Sequence, residues 1–348
     1  LVESSGSFGM DGLAERYLNY RTIHFDEVVE KGKTFDTVAL DKALAYAAED
    51  ADITLRLYHC FEEQIRERGM EKLLYEMEIP LIPVLAAMER EGIGIEYSVL
   101  QEYSRELTEK LGKIEEEIFR LCGEEFNINS TKQLQVILFE KRKLKPIKKT
   151  KTGYSTDNFV LEELAKEDKV PELVLRHRGL SKLKSTYVDT LPKLVRPETG
   201  RIHTHYIQTG TATGRLASRD PNLQNIPIKT EEGRKIRSAF VPRPGCTFIS
   251  ADYSQIELVV LAHLSEDPEL CAAFEKEEDI HRRTAGLIFD VPPGEIQPEQ
   301  RRIAKVINFG IMYGMSGFRL SRELGIPRQR ADEFIEAYFI KYGKVRDF

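Results

Sequence analysis

Cysteine is scarce in this chain of 348 residues, and long apolar runs are missing from it. The 4 cysteines are scattered without any Cys-x-x-Cys spacing, which argues against a zinc ribbon or a disulfide scaffold and fits a reducing cytosol. No run approaches the roughly 18 apolar residues of a membrane span, and no signal-peptide pattern opens the chain. The sequence therefore predicts neither a membrane protein nor a secreted one.

The composition is that of a soluble globular protein with a substantial core. Hydrophobic residues make up 41% of the chain and charged residues 31%, a balance that excludes a disordered chain. The length predicts about two to three domains of ordinary size. We expect an α+β class in which helices dominate and the strands gather in a small sheet.

Positive charge is concentrated in two stretches although the net charge is −6. Residues 141–151, KRKLKPIKKTK, hold seven cations and no anion, and residues 215–243 hold seven cations and three anions. A solvated surface is the simpler interpretation of the first stretch alone. Because both stretches flank polar sequence rich in Gly and Asn, together they favour a partner with a phosphate backbone.

Apolar periodicity predicts helices along most of the chain. The predicted helices cover 36–66, a stretch from about 71 that Pro80 and Pro83 interrupt, a stretch that ends at 121, 171–195 and 255–264, and the sequence after Asp267 is mainly helical. Short strands are predicted at 93–95, 201–208 and 247–252. Between the last two, an irregular polar segment is predicted at 209–227.

An apolar predicted strand, residues 247–252, ends in the carboxylate of Asp252. Such a carboxylate can point into a cleft, where Mg²⁺ binds through one or two carboxylates and substrate phosphates. Asp is also a favoured N-cap residue, and a helix is predicted to follow from Gln255. On these six residues alone, the capping role is the favoured interpretation.

The predicted helix over 301–314 carries cations and aromatic rings on one face. Its positions i, i+4, i+8 and i+12 are Arg301, Lys305, Phe309 and Tyr313. Cations can bind phosphates and rings can stack on a base; the alternative is an ordinary amphipathic helix with its aromatic residues in the core. Two glycines beside this face lower helix stability without an evident packing return, which favours a functional surface.

Two further patterns are weaker evidence of function. Residues 211–215 and 220–227 place Arg, Asn and Gln on irregular backbone, where they can hydrogen-bond the acceptors common to all base pairs in a minor groove. A polar loop that satisfies its own turns is the alternative. Tyr46 and Asp50 share one face of a predicted helix, a pairing that indicates little alone.

Taken together and in this order, the motifs resemble those of the family A DNA polymerases, of the bacterial DNA polymerase I type. The matching segments are STKQL at 130–134 and KLKSTY at 182–187 for the thumb, 213–215 and 220–227 for the primer-template loop, DYSQIEL at 252–258 for motif A, and 301–314 for motif B, the fingers helix. The resemblance spans residues 11–348.

The resemblance implies a right-hand polymerase preceded by the tail of an RNase H-like 3′–5′ exonuclease domain. The implied bounds are 1–66 for the exonuclease remnant and 67–348 for a truncated polymerase domain, with the thumb at about 95–200, the palm at about 67–94 and 201–265, and the fingers at about 266–348. The implied reaction is template-directed DNA synthesis in replication and repair. A primer 3′-hydroxyl attacks the α-phosphate of a deoxynucleoside triphosphate, and pyrophosphate leaves.

The resemblance also assigns the catalytic and nucleotide-binding residues. Two Mg²⁺ ions are expected on Asp252, with the Tyr253 carbonyl assisting, and Lys305 is expected to protonate the pyrophosphate. The residues implied to bind the nucleotide are Gln255, Glu257, His281, Arg301, Lys305, Phe309 and Tyr313. Glu257 is expected to crowd the 2′ position and exclude ribonucleotides. A capping or buried histidine is the alternative for His281.

The residues implied to contact DNA fall into two groups. They are Ser130, Thr131, Lys132, Lys182, Lys184, Ser185 and Thr186 in the thumb, and Arg215, Asn222, Gln224, Asn225 and Lys229 in and after the loop. Lys229 stands where many relatives carry Arg, so a bidentate phosphate contact becomes a point-charge contact. The implied partners are primer-template DNA and deoxynucleoside triphosphates; we expect a monomer in the bacterial cytoplasm, associated with the nucleoid and not with a membrane.

Tyr46 and Asp50 match the last exonuclease motif, in which Asp binds a metal and Tyr orients the attacking water. The Asp-x-Glu strand expected upstream is not in this sequence, so proofreading does not follow.

Motif C, a His-Asp-Glu that supplies the second metal carboxylate, does not occur in the 348 residues. We therefore expect a fragment of a longer polymerase, weakly active or inactive by itself. The alternative is a non-catalytic DNA-binding remnant, but the retained Asp252, Glu257, Arg301, Lys305 and Phe309 favour the enzyme.

Overall fold

The computed structural model describes residues 8–151, 153–228 and 230–348, and the chain divides into two compact units. The first unit is Leu1–Thr247 and the second is Phe248–Phe348. No helix in the described part of the chain is long and apolar enough to cross a membrane.

The first unit begins with a small helical layer. Its helices are α1 (Met10–Leu18), α2 (Phe25–Val28) and α3 (Leu40–Glu67), with a 3₁₀ turn at Phe35–Thr37. Ile53 and Leu57 of α3 pack with Ala14 of α1, and these three side chains are buried. The predicted 36–66 helix is thereby confirmed, with its start four residues later.

The helix predicted from about residue 71 is continuous rather than broken at its prolines. It consists of α4 (Glu71–Leu73), a π-helical stretch (Leu74–Glu78) and α5 (Ile79–Glu91). Pro80 directly follows the π-helical stretch and Pro83 lies inside α5, and neither of them ends the helix. The helix ends at Gly92, whose φ is +61° and where a Cβ would lie 2.5 Å from the Ile202 carbonyl oxygen.

The strands are short and confined to the first unit. They are β1 (Ile93–Ile95), β2 (Lys149–Thr150), β3 (Gly153–Tyr154), β4 (Arg201–Ile202), β5 (His205–Ile207), β6 (Ala217–Arg219) and β7 (Phe240–Val241). β1 is the centre of an antiparallel sheet in the order β4-β1-β7, with Ile93 opposite Ile202. β2 pairs with β3, and β5 pairs with β6.

The predicted strand at 201–208 is split into β4 and β5. Between them His203 and Thr204 form other contacts: His203 Nδ1 lies 2.7 Å from the Glu89 carbonyl oxygen, and the Thr204 hydroxyl donates to the Pro221 carbonyl at 2.8 Å. The partner strand β6 falls inside the segment predicted to be irregular, so that prediction is wrong at 217–219.

A helical core forms the rest of the first unit. Its helices are α6 (Tyr97–Cys122), α7 (Thr131–Gln135), α8 (Asn158–Leu164), α9 (Lys169–Leu183) and α10 (Glu231–Ser238), with π-helical stretches at Val136–Lys141 and Lys184–Val188 and a 3₁₀ turn at Leu191–Leu194. Leu100 and Leu107 of α6 pack in one core with Val174 and Leu180 of α9. The helix predicted to end near 121 is confirmed. The helix predicted over 171–195 is confirmed only as far as Val188, because a turn at 189–190 separates it from the 3₁₀ turn.

The second unit is helical wherever it is regular. Its helices are α11 (Ile256–Ser265), α12 (Pro268–Glu275), α13 (Ile280–Phe289), α14 (Pro298–Met312), α15 (Gly317–Leu324), α16 (Arg328–Lys341) and α17 (Gly343–Asp347), with a 3₁₀ turn at Pro293–Glu295. Leu258, Leu270, Ile307 and Tyr338 share its core. The helix-rich fold class is confirmed.

The predicted strand at 247–252 is wrong in this structure. Residues 246–253 are irregular, and Ile249 is 90% exposed. A strand needs a neighbour for its backbone N–H and C=O groups, and no strand of the described residues pairs with this segment. The capping alternative for Asp252 is also wrong, because the N-cap of α11 is Gln255, which makes no side-chain capping bond.

Candidate functional site

The helix α14 starts at strong local signals. Pro298 lies in its first turn, where the missing N–H is not needed, and Gln297 forms a reciprocal capping box with Gln300. Two of the first unpaired N–H groups are thereby satisfied. The helix predicted over 301–314 is confirmed as far as Met312, and it begins three residues earlier than predicted, at Pro298.

The face of α14 that carries the motif contains two cations and two rings. Lys305 is exposed, Phe309 is half-buried, and Tyr313, just beyond the helix, is 62% exposed. The alternative of an ordinary amphipathic helix with core aromatics is therefore wrong for Tyr313. Of the two glycines, Gly310 is buried, and a Cβ there would lie 2.9 Å from the Met315 sulfur, so its role is close packing rather than a shallow outer surface.

Arg301 is held in place by Asp279. The Nε–H of Arg301 donates to Oδ2 of Asp279 at 2.7 Å, while Oδ1 of Asp279 accepts the backbone N–H groups of His281 and Arg282 and so caps α13. Burial raises the pKa of Asp279, but these hydrogen bonds and the Arg301 charge outweigh it and hold the pKa below its usual value. Asp279 is therefore an anion that links the start of α13 to α14.

His281 lies behind this face and is only 3% exposed. Its ring centroid is 5.6 Å from that of Phe309, and its Nδ1 is 3.0 Å from Nδ2 of Asn308. The pKa of His281 is lowered to about 4, mainly by burial. The Asp279 carboxylate raises this pKa, whereas the charges of Arg301 and Lys305 lower it. The ring is therefore neutral at pH 7. The alternative of a buried histidine describes its surroundings, and its nucleotide-binding role stays a prediction.

A hydrogen bond joins two other predicted nucleotide-binding residues. The Tyr313 hydroxyl donates to Oε1 of the half-buried Glu257 at 3.0 Å. This contact brings the start of α11 next to the end of α14. Five of the seven predicted nucleotide-binding residues, namely Glu257, His281, Arg301, Phe309 and Tyr313, thus take part in contacts between helices of the second unit.

Asp252, Tyr253 and Gln255 lie in or next to the irregular segment. Asp252 and Tyr253 are exposed, and Gln255 has a left-handed backbone with φ of +54°. In the described part of the chain, no three His, Cys, Asp or Glu side chains form a group that could hold a metal ion. The structure therefore does not place Asp252 in a preformed metal site.

The loop residues predicted to bind DNA are exposed, but two side chains already have backbone partners. The Gln224 side chain donates to the Leu216 carbonyl at 3.1 Å, and Oδ1 of Asn222 accepts the Asn225 N–H at 3.2 Å. These bonds agree with a loop that satisfies its own turns. Arg215 and Asn225 present exposed side chains. Lys229 lies outside the described residues.

The residues predicted to contact DNA from the thumb also include some with structural partners and some that are exposed. Ser130 caps α7 by accepting the Gln133 N–H, but the Gln133 side chain accepts the Asn127 N–H, so the reciprocal half of the predicted capping box is not formed. Lys184 is half-buried and donates to Asp189 at 2.7 Å and to Ser104 at 3.1 Å, which is a structural role. The exposed members are Thr131, Lys132, Lys182, Ser185 and Thr186.

The first basic stretch is partly neutralised. Arg142 pairs with Asp168 at 2.5 Å, Lys148 pairs with Asp157 at 2.9 Å, and Lys141 pairs with Glu124. The other four cations, all exposed, are Lys143, Lys145, Lys149 and Lys151.

Tyr46 and Asp50 do come together on α3. Burial and the neighbouring Asp50 carboxylate raise the pKa of Tyr46, whose ring lies 5.7 Å from that of Phe35. Oδ1 of Asp50 is buried without a hydrogen-bond partner among the described residues. An acceptor in this state is expensive unless another group binds it, which is compatible with the predicted metal ligand.

Sequence reasoning missed the residues that support His281 and Arg301. Asp279 could have been found, because Asp directly before an apolar helical pattern is a capping signal. Asn308 could not, because it lies on α14 and meets His281 of α13 only through the packing of the two helices, which no spacing rule predicts.

Family models match nearly the whole chain. The model described as DNA polymerase family A matches residues 97–348, and the model described as 3′-5′ exonuclease matches residues 1–66.

Individual relatives agree with this match. The chain is 52% identical over 343 residues to the DNA polymerase I of Treponema pallidum, covering 99% of this chain and 34% of that protein. It is 48% identical over 348 residues to the DNA polymerase I of Borreliella burgdorferi, covering 100% of this chain and 38% of that protein. The chain thus spans little more than a third of the length of these relatives.

A solved structure has the same fold. The POL domain of Pol1 from M. smegmatis, in complex with DNA primer-template and dNTP, matches with a TM-score of 0.84 and 37% identity over 99% of this chain and 58% of that one. On these matches and the motifs above, the chain belongs to DNA polymerase family A and carries the end of a 3′–5′ exonuclease domain ahead of its polymerase part.

Proposed function

We propose that this chain serves template-directed DNA synthesis, in which deoxynucleotides are added to a primer 3′-hydroxyl. The observation that carries the proposal is the face of α14, where a fixed Arg301 and an exposed Lys305 precede two aromatic rings. The relatives named DNA polymerase I and the neighbour bound to DNA primer-template and dNTP support it.

The cations of α14 suit a triphosphate. Arg301 uses Nε for Asp279, and its two Nη groups have no hydrogen-bond partner among the described residues, so they are available to phosphate oxygens. Charge-assisted bonds of this kind are among the stronger polar contacts in proteins. Lys305 adds a mobile point charge, and we propose that it gives the proton to the leaving pyrophosphate. Phe309 and Tyr313 would contact the sugar and the base pair, with Gln255 and Glu257 beside them.

The two Mg²⁺ ions expected from the resemblance do not fit the described residues alone. Asp252 and the Tyr253 carbonyl could hold one ion together with substrate phosphates, which is a usual arrangement for Mg²⁺. A second carboxylate is needed for the pair, and the described residues place none in a metal-binding group with Asp252. We therefore assign no reaction step to the ions.

Binding of the primer-template would use the exposed polar residues of the first unit. The proposed contacts are Arg215, Asn222, Gln224, Asn225, Ser130, Thr131, Lys132, Lys182, Ser185 and Thr186; Lys184 is the weakest candidate because Asp189 already binds it. We also keep as proposals the domain bounds given above, the monomeric state and the location in the bacterial nucleoid.

The second candidate function is DNA binding without catalysis. The incomplete metal-binding group around Asp252 is the observation that favours it. It predicts duplex binding that weakens steeply with salt, since cations on phosphates release counterions, and no nucleotide incorporation.

Primer extension by the complete polymerase that carries this chain, and by its Asp252→Asn variant, separates the two functions. If the first is right, the complete polymerase extends a primer in Mg²⁺, and Asp252→Asn lowers the rate at least about a hundredfold, the order expected when a transition-state electrostatic contact is lost. Duplex binding, measured by fluorescence anisotropy, should stay within about twofold. Asp347→Asn, a change at another exposed carboxylate, is the matched control.

Full extension by Asp252→Asn would contradict the assignment of that residue. A complete polymerase carrying the unchanged chain that binds the duplex but adds no nucleotide would contradict the first function and support the second.

A further inference from the structure

A buried chain of hydrogen bonds runs through the second unit behind the proposed nucleotide face. Tyr342 lies 2.9 Å from the Thr284 hydroxyl, Thr284 donates to Oδ1 of Asn308 at 3.2 Å, and Nδ2 of Asn308 lies 3.0 Å from Nδ1 of His281. All four side chains are 3% exposed or less. The chain connects α13, α14 and the end of α16.

The protons in this chain can be arranged in two directions. In the first, Tyr342 donates to Thr284, Thr284 donates to Asn308, and the Asn308 NH₂ donates to Nδ1 of His281. In the second, the amide is reversed: Nδ1 of His281 donates to Asn308, whose NH₂ donates to Thr284, and Thr284 donates to Tyr342.

Burial favours the first direction. The amide is oriented in this way in the structure, with Oδ1 of Asn308 toward Thr284 and Nδ2 toward His281. With the amide reversed and Thr284 donating to Tyr342, the Tyr342 hydroxyl, which has no other hydrogen-bond partner among the described residues, would have a buried proton without an acceptor. A buried unpaired donor costs free energy, and folded proteins avoid it. In the first direction every one of the connecting protons has an acceptor.

We propose that Asn308 is a positioning residue that holds His281 as a neutral imidazole with its single proton on Nε2. Because Nδ1 accepts from Asn308, the ring keeps one donor, and that donor has no hydrogen-bond partner among the described residues. The charged groups around the ring are Asp279, Arg301 and Lys305. A neutral donor there can bond a phosphate oxygen without adding a charge that repels Arg301 and Lys305. The role of this donor rests on the proposed nucleotide site.

The ring ¹⁵N resonances of the 348-residue chain test the proposal directly, because the two neutral tautomers of histidine differ in which nitrogen carries the proton. The chain has 7 histidines, and His281→Gln identifies the resonances of His281 by their loss. We expect the neutral Nε2–H tautomer of His281 to dominate from pH 8 down to pH 6. An Nδ1–H tautomer, or an imidazolium, in the wild-type chain would overturn the proposal without any further variant.

Asn308→Asp reverses the hydrogen bond. A carboxylate can only accept, so Nδ1 must then carry a proton, and the midpoint of protonation of His281 should rise by at least one pH unit. Tyr338→Phe is the matched control, since it removes a buried hydroxyl of the same core that has no partner among the described residues. An unchanged Nε2–H tautomer in a folded Asn308→Asp chain whose new carboxyl is ionised, as its ¹³C resonance reports, would overturn the proposal.

Addition of dATP with Mg²⁺ to the same sample tests the proposed function separately. A shift of the His281 Nε2 resonance is expected if the donor faces a triphosphate. No shift at saturating nucleotide would contradict the proposed nucleotide contact and leave the tautomer result standing.

Discussion

Two segments of the second unit carry motifs of the same family, yet only one of them is preorganised. Residues 298–312 form a capped helix whose Arg301 has a fixed partner, whereas residues 248–253 are irregular and exposed around Asp252. A helix satisfies its backbone within its own sequence, because each N–H bonds a carbonyl four residues earlier. A strand depends on neighbours that lie elsewhere in the sequence. A motif is therefore preorganised only where its backbone N–H and C=O groups have hydrogen-bond partners.

The largest expected contrast is in stability. Ile307 is fully buried in the core of the second unit, so Ile307→Ala should cost about 2–5 kcal/mol in the free energy of unfolding. Ile249→Ala should change it by less than about 0.5 kcal/mol, because the side chain is exposed. Urea unfolding followed by circular dichroism measures both. Equal losses would show that the segment around Ile249 is packed in solution, and the comparison would fail.

The pH dependence of stability tests the packing around the ordered segment, because His281 is buried against α14. Its pKa of about 4 in the folded chain lies below the ordinary 6.5, so the unfolded chain takes up the proton first as the pH falls. Stability is therefore present in full above pH 6.5 and declines toward pH 4. From pH 7 to 4.5 we expect a loss of about 2–3 kcal/mol from this group.

Urea midpoints at the two pH values measure this loss. His281→Gln should remove it, and His59→Gln, a change at an exposed histidine, should not. The same pH dependence in wild type and His281→Gln would contradict the buried neutral ring.

The smallest expected effect compares how the two helices begin. Gln255 precedes α11 with a φ of +54° and no side-chain capping bond, so Gln255→Gly should stabilise the chain by about 0.5–1 kcal/mol. Gln297 precedes α14 with an ordinary φ of −72°, and its N–H donates to Oε1 of Gln300 at 2.9 Å, so Gln300→Ala should destabilise by about 0.5 kcal/mol. Thermal unfolding of the two variants side by side gives the sign of each change, and two changes of the same sign would contradict the contrast.

Local signals made much of the fold predictable. The helices over 97–122 and 298–312 follow from apolar periodicity and from capping or turn residues within a few positions, and β1 follows from the turn at Gly92. β6 was not predictable, because its three residues, Ala217–Arg219, carry no strand pattern and are defined by pairing with β5.

The candidate site was predictable as a set of residues but not as an arrangement. Spacing placed Arg301, Lys305 and Phe309 on one face, which the helix retains. It could not show that Lys184 is bound by Asp189 or that Asn308 contacts His281, because those contacts depend on the packing of side chains from different turns or different helices.

The exposed segment before Asp252 also affects how the protein behaves at high concentration. From residue 244 to residue 251 there is no charged side chain, and the side chains of Phe248 and Ile249 face solvent. No strand among the described residues pairs with the backbone N–H and C=O groups of this segment. Such a segment can pair edge to edge with the same segment of a second molecule, and a flanking charge opposes this. Asp252 is the nearest charge on the C-terminal side, so Asp252→Asn would weaken that protection against self-association. Light scattering on each sample is therefore needed before a loss of primer extension is attributed to chemistry.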